Sequence, residues 1–161
     1  GDINDSVKII KQAQEMGLDT VFLGDMDWAT EEFEELAGNI ASVENTAFIS
    51  FFDANETVAV ENKEAEKFLK AYHEKYGEEN TPSDAVTLGY DAYLIAINAI
   101  DKAPDDATAE EIRDVLAGQH TFQGASGVIT FNSMGDPIKT AYISTWTSGQ
   151  IETISTINPV L

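Results

Sequence analysis

Residues Phe22-Leu23-Gly24-Asp25-Met26-Asp27-Trp28-Ala29-Thr30 place two carboxylates and an indole directly after an apolar run. Three chemistries fit such a cluster: a metal loop, an acid/base pair, or one wall of a pocket for a cationic or amphipathic ligand. The metal loop fails on spacing. A calcium loop of EF-hand type opening at Asp25 needs an oxygen ligand at 29, glycine at 30 and glutamate at 36. The sequence has Ala29, Thr30 and Leu36 instead. Glu31 and Glu32 have a simpler role, as acids opposing the dipole in the first turn of a helix. Acid/base chemistry is weakly signalled, because close carboxylate pairs arise by chance in a chain with 29 acids. The only histidines, His73 and His120, read as a solvated helix residue and a loop residue. No GxSxG elbow, HExxH helix, P-loop or GxGxxG turn is present.

The pocket reading is better placed. Open α/β sheets bind ligands at the carboxyl ends of their strands, where Gly24 to Trp28 stand. Carboxylates there suit an ammonium group, and Trp28 could cover an apolar side chain or a cation with its π face. Taken singly, Asp25 and Asp27 solvate a loop and Trp28 packs. Their shared position favours the pocket.

The elements that must position this cluster are legible. Asp2 or Asp5 caps a helix whose inward side carries Val7, Ile10, Ala13 and Gln14, with Ile9 and Met16 beside them, and Gly17 stops it. Asp19 to Leu23 reads as a strand buried on both faces. A helix from Thr30 turns Phe33, Leu36 and Ala37 inward and ends near Gly38, and Thr46 to Phe52 is the next strand. This alternation predicts an α/β fold with a parallel sheet. Residues 53–60 form the first joint. A helix with Ala65, Phe68, Leu69, Tyr72 and Tyr76 inward runs to Tyr76 and breaks at Gly77 to Pro82. Residues 84–103 form another helix, with Leu94, Ile97 and Ile100 as its clearest stripe, ended by Pro104. Thr108 and Glu111 make a capping box, and that helix ends near Gly118. Val128 to Phe131 is strand-like, and residues 132–137 turn. A hairpin joins Ala141–Thr147 to 151–157, with Tyr142, Ser144 and Trp146 on one face.

Composition narrows the partners. The chain has 161 residues, 43% hydrophobic, with a formal net charge of -20. A packed core is affordable, and that field repels nucleic acid and anionic membrane surfaces. With no cysteine, disulfides, thiolate catalysis and Cys-based metal sites are excluded. No apolar stretch reaches the length of a membrane span. The chain opens on polar residues just before a helix, so no signal peptide is expected within these residues. That start is expected to be a cut through a longer protein, or a matured or engineered end.

Five runs, in order, carry a resemblance. They are Gln12 to Leu18 with Val21-Phe22-Leu23-Gly24; Trp28-Ala29-Thr30; Phe68 to Tyr72 with Tyr76-Gly77; Tyr90-Asp91-Ala92-Tyr93; and Phe122 to Phe131 with Gly135-Asp136. Together they resemble the C-terminal half of type I periplasmic-type solute-binding proteins of ABC importers, the leucine/isoleucine/valine-binding branch. The resemblance implies flavodoxin-like lobes, each a parallel sheet with helices on both faces. It implies that residues 1–53 belong to the second lobe, 54–138 to the first, and 139–161 return to the second, with hinge crossings near Asp53 and Lys139. A chain comprising this half would expose core surface, so a partner is expected: the missing N-terminal half, or a second copy exchanging elements.

The resemblance also implies a function: non-enzymatic capture of a small ligand by hinge closure, outside the cytoplasm, for delivery to an ABC permease, with no cofactor or metal. A branched-chain or other apolar amino acid is the expected ligand, or a related small amide or carboxylate. The family's amino-acid binders hold the α-ammonium partly with an acid in the loop that carries Gly24. Aligned here, that position is Met26, flanked by Asp25 and Asp27; a shift of one residue carries the role to either aspartate, and otherwise the ligand differs. Tyr90 is the next expected contact, by stacking or through its hydroxyl, and Asp2 and Ile3 lie near another cleft loop. Two rivals remain: the sensory domain of a receptor, and an α/β enzyme using Asp25 or Asp27.

Overall fold

In the computed structural model, residues 2–38, 45–54 and 61–159 are described. The first helix, α1 (Ile3–Glu15), begins where the Asp2 carboxylate accepts the Asp5 N–H, at 2.9 Å. It ends where Gly17 takes a φ of 70°, a conformation that penalises any Cβ. Val7, Ile10 and Ala13 are buried as the periodicity requires, whereas Ile9 and Met16 are exposed. After it come β1 (Phe22–Gly24), a 3-10 turn (Met26–Ala29), α2 (Glu31–Ala37) and β2 (Thr46–Ser50). Then follow α3 (Lys63–Tyr76), α4 (Asp84–Lys102), α5 (Ala109–Gly118), β3 (Thr121–Gly124), β4 (Gly127–Phe131), β5 (Pro137–Ile138), β6 (Ala141–Thr147) and β7 (Gln150–Ile157).

The chain divides into two compact units, Gly1–Phe51 with Ala141–Ile157, and Phe52–Thr140 with Asn158–Leu161. In the first, four strands lie in the order β1-β2-β6-β7. β1 and β2 pair in parallel, as the helix–strand alternation predicts, and the β6–β7 hairpin adds antiparallel strands beside β2. Its turn, Ser148-Gly149, has positive φ at both residues, which matches the right-handed twist of the flanking strands. One face of this sheet carries the core: Phe48 and Trp146 pack with Val7 and Ile10 of α1, Phe33 and Ala37 of α2, and Trp28. Each such large side chain contributes about 1.5–3 kcal/mol by leaving water.

The reading of Asp19 to Leu23 as a strand buried on both faces needs correction. Only Phe22 to Gly24 pair, and Val21 and Leu23 are 70% and 67% exposed. Among the described residues β1 is an edge strand, and α1 and α2 cover only the face that carries Phe48.

In the second unit, β3, β4 and β5 form an antiparallel sheet, of which only β4 was anticipated. The Thr108–Glu111 capping box starts α5 as expected. The expected stripe of α4 is corrected. Its buried positions are Asp84, Thr87, Asp91 and Ala99, while Ile97 and Ile100 are exposed. Hydrogen bonds accepted by a buried carboxylate tie this helix to the β3–β4 turn. The Asp91 carboxylate, 1% exposed, accepts the Ala125 N–H at 2.6 Å, the Ser126 N–H at 3.0 Å and the Ser126 hydroxyl. Asn62, at the N-cap of α3, donates to the carbonyl of Gly124 at 2.9 Å and of Ala125 at 3.3 Å. Side chains from two helices thus grip one tight turn. Phe52, Phe68 and Ala125 form the small apolar core beside it, with Leu69, Tyr72 and Tyr90 against them. Of the expected joint at 53–60, residues 55–60 lie outside the described residues.

Candidate functional site

The parallel register aligns Gly24 with Phe48, so both strands end on the same side of the sheet. Beyond those ends lies an open depression of about 350 Å³, lined by Gly24, Asp25, Met26, Asp27, Ile49 and Phe51. Its wall has two sources. Ile49 stands near the end of β2 and Phe51 directly after it, on alternate positions from the core residue Phe48. Gly24 to Asp27 come from the end of β1 and the 3-10 turn.

Local chemistry explains why the chain turns here. Asp25 caps the 3-10 turn, its Oδ1 accepting the Asp27 N–H at 3.1 Å, and the Trp28 N–H returns to the Asp25 carbonyl at 3.2 Å. Thr30 joins this turn to α2: its hydroxyl donates to the Asp27 carbonyl at 2.8 Å and accepts the Phe33 N–H at 3.3 Å. Gly24 is demanded by space, since a Cβ there would fall within the Trp28 indole.

The structure brings together three of the five expected site residues, Asp25, Met26 and Asp27. Trp28 is corrected. It is 7% exposed, stacks on Phe33 at 4.9 Å between centroids, and belongs to the core, where its carbonyl accepts the Trp146 Nε1–H at 2.8 Å. Its indole packs against Gly24 and Phe33. Tyr90 lies in the other unit, with its ring against Phe68 and its hydroxyl donating to Glu64 at 2.8 Å. Burial, and then the neighbouring Glu64 carboxylate, push its pKa up to about 12. Asp2 is occupied as the cap of α1, and Ile3 packs against the core. His73 faces Glu78 at 3.5 Å. Ile49 and Phe51 were missed as lining residues, although the alternation of β2 around Phe48 carried the signal.

Chemically, the depression offers an apolar wall from Met26, Ile49 and Phe51 beside two carboxylates. Among the described residues no group of acids or histidines could hold a metal ion. No described helix is long and apolar enough to cross a membrane. This arrangement suits non-covalent capture of a small amphipathic molecule.

Comparison with known proteins gives the context. The family described as periplasmic binding protein matches residues 1–150. No curated protein matches. Among solved structures, the leucine binding protein LivK of Thermotoga maritima is 30% identical, with a TM-score of 0.85 over 99% of this chain and 43% of that one. The branched-chain amino acid transporter substrate binding protein LivJ of Streptococcus pneumoniae, solved with isoleucine, is 34% identical, with a TM-score of 0.78 over 99% of this chain and 43% of that one. An R. palustris solute-binding protein in complex with benzoate is 18% identical, with a TM-score of 0.69 over 96% of this chain and 41% of that one, and shares the fold. The chain thus spans less than half the length of these structures. With its α/β fold and a depression at the strand ends, the chain belongs to the type I periplasmic binding protein family, and over nearly its whole length it is similar to LivK and LivJ.

Proposed function

We propose that this chain forms part of an extracytoplasmic solute-binding protein that captures a branched-chain or other apolar amino acid for an ABC importer. The carrying observation is the depression at the ends of β1 and β2, where Met26, Ile49 and Phe51 stand beside Asp25 and Asp27. Apolar side chains suit the hydrocarbon part of the ligand, and the aspartates suit its ammonium group. LivJ, a relative solved with isoleucine, supports the same class of ligand.

On this reading the unit of Gly1–Phe51 with Ala141–Ile157 is part of one lobe, and the unit of Phe52–Thr140 with Asn158–Leu161 part of the other. The lobes close on the ligand by hinge bending, the membrane permease recognises the closed form, and no covalent chemistry occurs. The relatives are more than twice as long, and apolar surface on this chain, at Val21 and Leu23 and along Val86, Tyr93, Ile97 and Ile100 of α4, suits coverage by further polypeptide. That polypeptide is the remainder of a longer protein, or a second copy exchanging elements.

Calorimetric titration of the purified chain, alone and with the polypeptide that completes the family's length, tests the reading. Saturable binding of isoleucine, leucine or valine is expected. A complete protein that takes up none of these, nor any apolar amino acid released from it under denaturing mass spectrometry, would refute it.

A further inference from the structure

The residues that shape the depression lie on a turn with little support of its own. Met26–Ala29 is a single 3-10 turn, held locally by Asp25 through its side chain and its carbonyl and by the Thr30 hydroxyl on the Asp27 carbonyl. Short 3-10 turns have poor hydrogen-bond geometry and need outside help to keep one conformation. That help comes from far along the chain. Trp146, on β6, is 5% exposed and donates its Nε1–H to the Trp28 carbonyl at 2.8 Å. The hydrogen bond is buried and spans 118 residues of sequence. On the other side of the same turn, the Trp28 indole fills the space that Gly24 leaves open and stacks on Phe33.

We propose that Trp146 is a positioning residue for the ligand site, fixing the Asp25–Asp27 turn through the Trp28 carbonyl; its effect on ligand affinity rests on the function proposed above. The β6–β7 hairpin supplies more than a sheet edge. Its tryptophan couples the returning end of the chain to the loop that lines the depression. Apparent affinity scales with the fraction of molecules whose loop holds the binding conformation. Loss of one buried hydrogen bond changes the equilibrium between the held and the opened turn by about fivefold, which is also the upper bound on the change in affinity. The chain contains two tryptophans. They are the two partners in this contact, so intrinsic fluorescence reports directly on the coupling.

The test is Trp146→Phe, which keeps an aromatic ring and removes the donor, set beside Val7→Ala in the same core. Val7, a buried residue of α1 in that core, has no hydrogen-bonding side chain and loses only methyl groups. Two readouts separate the claims. Amide hydrogen exchange at Asp27 and Trp28 is measured without ligand, and isoleucine affinity is measured by titration. Trp146→Phe is expected to speed exchange at both amides about fivefold and to weaken isoleucine by a smaller factor, at most about fivefold. Val7→Ala is expected to lower the melting temperature as much or more while leaving both readouts unchanged. Unchanged exchange in Trp146→Phe, or an equal change in Val7→Ala, would overturn the positioning role. Faster exchange at the two amides in a protein that binds no isoleucine would support the positioning role and count against the proposed ligand.

Discussion

Replacing Asp91 with alanine is expected to be the most damaging single substitution in the second unit. The carboxylate lies in the interior and accepts from two backbone N–H groups and one hydroxyl in the β3–β4 turn. Ser126 can rotate its hydroxyl toward another acceptor, but the N–H groups of Ala125 and Ser126 are fixed by the turn. Each buried donor left without a partner costs about 1–3 kcal/mol. Two of them, together with loss of the tie between α4 and the turn, give about 3–5 kcal/mol, the range for breaking a buried charged contact. That is a large part of the ~5–15 kcal/mol that holds a typical domain together. Both tryptophans belong to the first unit, so their fluorescence would follow the wrong part of the chain. Urea unfolding should be followed by far-ultraviolet circular dichroism, which sees α3, α4 and α5, with amide exchange at Ala125 and Ser126 as the local readout. A loss below about 1 kcal/mol, with both amides exchanging as in the wild type, would refute the clamp. Gly124→Ala is a built-in control, because its Cβ would stand 2.5 Å from the Asp91 carboxyl carbon and must displace the same group.

Further expectations follow from single contacts. Gly24→Ala should force the Trp28 ring out of its place, costing about 1–3 kcal/mol by overpacking and shifting the tryptophan fluorescence; an unchanged spectrum and melting temperature would count against that packing. Asp25→Asn with Asp27→Asn keeps the capping oxygen of Asp25 but removes both charges, so it should weaken amino-acid binding by about tenfold with little loss of stability; equal affinity in this variant would exclude the aspartates as the ammonium site. Burial lowers the pKa of Lys139 from 10.5 to about 8, against the opposing pull of Asp91 and Asp84. Between those values the unfolded chain holds the proton more tightly, so this group makes stability rise with pH from about 8 to 10.5. Lys139→Met should flatten that rise in paired urea titrations, and an identical slope in both proteins would remove Lys139 as its source. The reverse holds for Tyr90: its pKa of about 12 makes stability fall above pH 10, and Tyr90→Phe should abolish that fall in the same titrations.

Much of the local architecture follows from the sequence by itself. Asp2, Gly17, Thr30, Gly38, Thr108 and the Ser148-Gly149 turn mark where elements begin and end, because caps and positive-φ turns depend on the residue in place and its near neighbours. The alternation of Tyr142, Ser144 and Trp146 marks the buried face of β6 for the same reason. The cluster after β1 is legible as a candidate site through its place at a strand end. What the sequence could not decide is what each side chain faces across long stretches of chain. Trp28 has the composition of a pocket wall, but its indole is consumed by Gly24, Phe33 and the core. Ile97 and Ile100 make the apolar stripe of α4, yet the helix is tied by Asp91 to a turn more than thirty residues away. Ile49 and Phe51 enter the depression because the parallel register sets the end of β2 beside Asp25. Periodicity ranks faces by hydrophobicity alone, whereas a buried carboxylate with several donors outweighs an apolar stripe, and only tertiary structure brings those donors to it.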